Sequence, residues 1–277
     1  MGRGSRWRPS RPNQVAVKSS TLGTSGPLLV AEGVHKSFGG VIAVDQVSLI
    51  VGRGESVGLV GPNGAGKTTL FNCICGQLRP DSGSVTLNGV TLDGLASYRR
   101  ARLGIGRTYQ RIEVFPDMTV HEHLMVAERA RRGDGRIWKD LCNLGAASSA
   151  ELEQVDRVLA LVGLTEVQDR PVAALGLGMC RLVELARAVM CEPTVLVADE
   201  PSSGLDVHET KELAGVLRTL QEERGMAILL VERDLGMVGD VVDRAVVMDL
   251  GRVVADGTFD QVMALPEVRS AYLGVSA

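Results

Sequence analysis

The chain has 277 residues, 45% hydrophobic, 23% charged and 3% aromatic, with 33 glycines and a formal charge of −3. That length suits one substantial domain or two modest ones, and the charge excludes a broadly basic nucleic-acid binder. Nine aromatics offer few platforms for stacking single-stranded bases, and no uncharged run exceeds thirteen residues, against the ~20 apolar residues of a membrane-spanning helix.

Residues 1–26 hold Arg3, Arg6, Arg8, Arg11 and Lys18 and no acid. Removing those five leaves 25 basic against 33 acidic residues, so the remainder carries −8. Lacking hydrophobic periodicity, this basic head is expected to be a disordered extension. An Arg- and Ser-rich start also suits a transit peptide, although Pro9 and Pro12 interrupt it and no apolar h-region marks a secretory signal. The five cysteines lack framework spacing and read as reduced, buried thiols of an intracellular protein.

From Leu28 the pattern changes. Leu28–Ala31, Val41–Val44 and Val47–Val51 are short apolar or alternating runs, expected as strands of a small antiparallel sheet. Ser56–Val60 reads as a buried strand running into a glycine-rich loop, followed by a helix through Leu70, Ile74 and Leu78 that Pro80 closes. Val85–Leu87 resumes strand before an Asn88-Gly89 turn. The cluster Arg99, Arg100 and Arg102 reads as a solvated face or a contact with a partner.

Residues 112–178, roughly, read as helical. Thr119 with Glu122 makes a capping box for a stretch to Arg131, and Leu152, Val155, Leu159 and Val162 share a face of a second helix over Glu151–Leu161. Residues 132–150 read as a loose connection. Apolar strands return at Val195–Ala198 and Ala227–Val231, separated by a helix over about 208–224. Thr258 with Gln261 is another capping box. Strand–helix alternation on both sides of a helical insertion argues for an α/β fold with a parallel core.

Two motifs carry chemistry. Gly61-Pro62-Asn63-Gly64-Ala65-Gly66-Lys67-Thr68-Thr69 fits the phosphate-loop pattern, with a strand before it and a helix after it. Its glycines let backbone N–H groups turn inward around an anion, and the helix N-terminus adds its positive end. Lys67 is expected to reach the β- and γ-phosphates, and the Thr68 hydroxyl to bind Mg2+. The second motif, Val195-Leu-Val-Ala-Asp199-Glu200, ends a buried strand on two carboxylates. Asp199 would hold Mg2+, and Glu200 would accept a proton from, or polarise, the attacking water.

Over about residues 28–275 these residues resemble the nucleotide-binding subunit of an ATP-binding cassette (ABC) transporter. The resemblance implies a P-loop NTPase fold: a RecA-like parallel core with a small N-terminal antiparallel β subdomain and an inserted α-helical subdomain. It implies one cassette domain over 27–275. Phe38 in Lys-Ser-Phe-Gly-Gly matches the aromatic that stacks on adenine, or is a core phenylalanine. Gln110 in Gly-Ile-Gly-Arg-Thr-Tyr-Gln matches a glutamine near Mg2+, and Ser203-Gly-Leu-Asp206 matches a loop that crosses a dimer interface. Phe38-Gly-Gly with Ala43-Val, Gly104-Ile-Gly-Arg-Thr and the ending Ala271-Tyr-Leu-Gly are similar to the branched-chain amino acid import branch, whose relatives move urea and amides or export lipopolysaccharide.

Two positions depart from that family's pattern. Its signature, Leu-Ser-Gly-Gly-Gln, stands here as Leu175-Gly-Leu-Gly-Met179, so Gly176 lacks the hydroxyl that relatives offer to the opposite subunit's γ-phosphate. Gly178, its neighbours' N–H groups and the helix N-terminus remain. Losing one hydrogen bond to a charged group costs about 1.5–3 kcal/mol, or roughly 10- to 150-fold in binding. Relatives carry Glu-His-Asp after the Ala227–Val231 strand, where this chain has Glu232-Arg233-Asp234. Arg233 can contact the phosphate as an arginine finger does, or pair with Glu200 and hold it off the water.

The family resemblance further implies ATP and Mg2+ as cofactors and a second ABC ATPase subunit, with a heterodimer favoured over a homodimer. It also implies two transmembrane permease subunits, an indirectly coupled substrate-binding protein, and a peripheral place on the cytoplasmic face of the plasma (inner) membrane. The alternatives are a hydrolysis-impaired regulatory subunit, the cassette of another permease, or a non-transport cassette acting on DNA or ribosomes.

Overall fold

The computed structural model describes residues 26–108, 115–132 and 147–273. The expected basic head and most of the 132–150 connection lie outside the described residues.

Two sheets build the fold. β1 (Pro27–Phe38), β2 (Val41–Gly52), β4 (Ser82–Leu87) and β5 (Val90–Thr91) form an antiparallel sheet in the order β2-β1-β4-β5. The three short runs expected near its start are two long strands, because register shifts in the β1–β2 pairing let each strand continue past its polar interruptions. The second sheet has the order β10-β9-β3-β8-β7-β6, from β3 (Ser56–Val60), β6 (Ile105–Arg107), β7 (Val195–Asp199), β8 (Ala227–Val231), β9 (Arg244–Asp249) and β10 (Arg252–Gly257). β9, β3, β8, β7 and β6 run parallel, and β10 closes the edge antiparallel.

Every residue of β3, β7 and β8 is buried, as expected of parallel strands covered on both faces. Their two-residue period divides the core. Leu59, Val197 and Leu229 face a cluster with Leu29, Val85 and Phe71, on the side of the antiparallel sheet. Val60, Leu196 and Ile228 face a cluster of helical residues that includes Leu124, Val158, Leu185, Leu217 and Val238. Each such side chain, fully buried, contributes about 1.5–3 kcal/mol over exposure.

The helices have local causes. α1 (Lys67–Cys75) stops at Gly76, whose left-handed backbone turns its N–H onto the Asn72 and Cys73 carbonyls, so Leu78 falls beyond the helix. α2 (Ser97–Arg102) precedes β6. α3 (Val120–Arg132) opens on the Thr119–Glu122 box: Thr119 N–H donates to Glu122 Oε2 at 2.8 Å and Glu122 N–H to Thr119 Oγ1 at 3.2 Å. α4 (Ser149–Leu161) opens on a Ser148–Glu151 box that the sequence reading missed. Its buried face is Val155, Val158, Leu159 and Val162, while Leu152 is 39% exposed. Periodicity identified the stripe, but what the facing helices reach decides which turn is covered. α5 (Leu177–Met190) leads back to β7; α6 (Val207–Arg224), α7 (Leu235–Val241), α8 (Phe259–Ala264) and α9 (Pro266–Leu273) follow. The Thr258–Gln261 box caps α8.

The arginine cluster divides. Arg100 is buried, a correction to the solvated face expected there. Its guanidinium donates to the Leu95 carbonyl at 3.1 Å and to the Cys73 and Ile74 carbonyls at 2.9 and 2.7 Å, satisfying the C-terminal end of α1. Cys73 and Cys75 are buried as expected, and burial pushes the Cys75 thiol up to about 12. Arg100→Ala leaves these carbonyls without donors and should cost about 2 kcal/mol, lowering Tm by roughly 4–8 °C. Thermal unfolding followed by circular dichroism checks this, and a Tm unchanged within 1 °C would contradict it.

Candidate active site at one edge of the parallel sheet

β3 ends at Val60 and its chain enters the loop 61–66 before α1. The loop's shape follows from its neighbours. A side chain at Gly61 would meet the Met248 carbonyl and one at Gly66 the Ala43 carbonyl, and both positions have positive φ, 147° and 98°. Packed this tightly, the loop borders a cavity of about 300 Å3 whose lining includes Asn63 to Thr69, Ala43, Glu200 and Arg233. Lys67 Nζ donates to the Gly61 and Pro62 carbonyls at 2.5 and 3.0 Å. Burial lowers the Lys67 pKa below the usual range, with Glu200 opposing and Arg233 adding to that shift.

β7 ends on Asp199, and Glu200 turns off the strand with φ 46°, its N–H donating to the Val231 carbonyl at 2.7 Å. A left-handed backbone at a non-glycine residue costs on the order of 1–3 kcal/mol and persists where surrounding contacts enforce it. Asp199 is buried, and burial, then the Glu200 charge, raise its carboxyl pKa above the usual range. Arg233, the first residue beyond Glu232, donates from Nε to Glu200 Oε1 at 2.5 Å. This contact is the Glu200 pairing expected as one of the two roles of Arg233.

Glu232 was not singled out from sequence. It is 2% exposed, and its Oε1 accepts the Ser202 N–H at 2.9 Å while Oε2 accepts the Arg233 and Asp234 N–H groups at 2.7 and 3.2 Å. This carboxylate fastens the loop after β7 to the loop after β8, and charge-assisted bonds of this kind are the strong ones. The readable signal is an acid placed directly after a wholly apolar, five-residue strand.

The remaining expected residues are dispersed. Phe38 lies at the end of β1, 47% exposed, with Lys36 Nζ 5.4 Å from its ring centroid. It is outside the cavity lining, which the same sheet reaches through Ala43. Gln110 lies outside the described residues. Gly176, Gly178, Ser203 and Asp206 are not among the lining residues either; they gather around the N-termini of α5 and α6. Gly176 is the N-cap of α5 with no side-chain cap bond, and a Cβ there would meet nothing within 4 Å. A serine therefore fits that position.

The donor set suits a polyphosphate with a divalent cation: loop N–H groups, an ammonium, two threonine hydroxyls and a buried carboxylate. Among the described residues no helix is long and apolar enough to cross a membrane.

A family model described as ABC transporter matches residues 44–203. The high-affinity branched-chain amino acid transport ATP-binding protein LivG of Salmonella typhimurium is 40% identical over 253 residues, covering 90% of this chain and 99% of that protein. BraF of Pseudomonas aeruginosa, described in the same terms, is 38% identical with the same coverage. The solved ADP conformation of MJ1267, an ATP-binding cassette of an ABC transporter, superposes with a TM-score of 0.78 at 29% identity, covering 91% of this chain and 100% of that one. A nucleotide-free ATP-binding cassette gives 0.77 at 27% identity, with coverage of 91% and 100%.

The raised pKa of Asp199 has a consequence for stability. The folded state binds this proton more readily than the unfolded state, so stability falls as pH rises through the folded-state value, and the ionised carboxylate is a cost at neutral pH. Asp199→Asn is expected to raise Tm at pH 7–8 in metal- and nucleotide-free buffer, with the gain shrinking as pH falls toward the carboxylate range. Differential scanning calorimetry across that interval checks it, and a Tm lowered at pH 8 would contradict the buried-charge cost.

Proposed function

The chain belongs to the ABC transporter family, and we propose that it is the ATP-hydrolysing subunit that energises an importer of branched-chain amino acids or of related small amino acids and amides. The carrying observation is identity of 40% extending over 99% of a relative described by that transport, together with the cavity between Lys67 and Glu200. The proposed place is peripheral, on the cytoplasmic face of the plasma (inner) membrane, against two permease subunits served by a substrate-binding protein. Translocation and choice of substrate then belong to those partners.

In this reading the loop N–H groups and Lys67 hold the ATP phosphates, and Phe38 stacks on adenine. Thr68 and Asp199, with Gln110, are the proposed Mg2+ ligands. Bound there, Mg2+ neutralises charge on the β- and γ-phosphates. Glu200 orients the attacking water and accepts its proton.

The cavity opens beside Asn63, Gly64 and Thr68, all exposed. The proposed cover for that open side is the α5 and α6 ends of a second cassette, and this chain's Gly176, Gly178, Ser203 and Asp206 would cover the second cassette's nucleotide in turn. A heterodimer is favoured, because a homodimer would place Gly176 and Arg233 in both sites. Closure of the pair on ATP and its opening after hydrolysis would then move the permeases between two states.

Hydrolysis is proposed to be restrained at both sites that this chain helps to build, by Arg233 at its own and by Gly176 at the second cassette's. The 2.5 Å contact from Arg233 occupies a Glu200 oxygen that a water would otherwise use, and an arginine charge is permanent. The reconstituted transporter carrying Gly176→Ser and Arg233→His should therefore turn over ATP roughly tenfold faster or more, the scale of one charged hydrogen bond. Glu200→Gln should abolish what this site contributes. Phosphate release by the parent complex as fast as by the double variant would overturn the restraint, and no loss on Glu200→Gln would remove Glu200 from catalysis.

A further inference from the structure

We infer that Glu209 is a positioning residue: its carboxylate ties the first turn of α5 to the loop before α6, so that both loops act as one unit on the nucleotide of a second cassette. The role rests on the two-cassette reading above. Glu209 is the third residue of α6 and completes a capping box with Asp206, whose side chain accepts the Glu209 N–H at 2.8 Å. Its two oxygens serve different segments. Oε2 accepts the Asp206 N–H at 3.1 Å, and Oε1 accepts the Gly178 N–H at 3.2 Å, a contact 31 positions apart in sequence.

The Gly178 N–H is one of the first-turn donors that α5 cannot satisfy internally, and a carboxylate at that end is favoured by the helix dipole. A Cβ at position 178 would lie 2.8 Å from Glu209 Oε1 and 2.9 Å from its Cδ and Cγ, so a side chain there would displace this carboxylate. One further contact braces the junction: Arg181 Nη2 donates to the Ser203 carbonyl at 3.4 Å. The outer residues of the junction, Gly176, Leu177, Ser203 and Asp206, are exposed. With no hydroxyl at Gly176 and the Gly178 N–H already held by Glu209, what this surface offers a phosphate is the Ser203 hydroxyl and neighbouring backbone N–H groups, and their value depends on being held at fixed positions.

Sedimentation of the Glu200→Gln chain with the second cassette of its transporter, titrated with ATP, tests this. Glu209→Ala is expected to require roughly tenfold more ATP for association, the scale of one charged hydrogen bond, and Glu209→Gln, which keeps one acceptor oxygen, to fall between. Calorimetric affinity of the isolated chain for ATP should be unchanged by either substitution, since its own phosphate loop is untouched. Association of Glu209→Ala at the parent's ATP concentration, or below it, would overturn the role. So would a parallel loss of isolated-chain affinity for both variants, which would make Glu209 a general support of the fold. Failure of the parent chain to associate at any ATP concentration would instead remove the two-cassette reading, and this role with it.

Discussion

Leu59 of β3 pairs with Val231 of β8, and Val231 pairs with Asp199 of β7, so three fully buried parallel strands stop at one level. The loop 61–66, Asp199-Glu200 and Glu232-Arg233 all emerge from that edge, although nearly 140 residues separate the first from the second in sequence. Ligand sites outside the carboxyl ends of such strands are a general consequence of parallel α/β sheets. Here the two packed clusters, one on each sheet face, hold the edge rigid. A residue slip in any of the three strands would turn its buried side chains to the opposite face and displace the site.

The second constraint is charge. Asp199, Glu200 and Glu232 crowd one edge, each less than a tenth exposed. Glu232 is satisfied by three backbone donors, and Glu200 by Arg233 among its contacts. Asp199 has a raised pKa that burial, not pairing, dominates. A carboxylate held at a cost in the folded chain is what a cation-binding position looks like before the cation's own charge is added. Arg233 makes this edge unusual: a permanent positive charge occupies the oxygen of the residue assigned to activate water.

Much of this was legible in sequence because its causes are local. The strand–glycine loop–helix order marked Gly61 to Thr69, four apolar residues before two acids marked Asp199-Glu200, and the Thr119 and Thr258 boxes declared helix starts within four residues. What escaped depends on contacts between distant segments. Arg100 looks solvated in its own hexapeptide, yet it closes α1 twenty-six and twenty-seven residues away. Glu209 reads as an ordinary capping residue until α5 is folded against it. Leu152 matches its helix's stripe but stays 39% exposed among the described residues. Gly176 and Gly178 are equal as letters, and differ in that one is open space and the other is filled by Glu209.

Every role assigned to the site depends on ATP occupying the loop that follows β3. Calorimetric titration of the purified chain with Mg·ATP, set beside Lys67→Ala, measures this directly. Saturable binding by the unsubstituted chain is expected, with a loss of roughly 10- to 150-fold on removing the ammonium, the scale of a hydrogen bond to a charged group. Equal binding by the two proteins would contradict it.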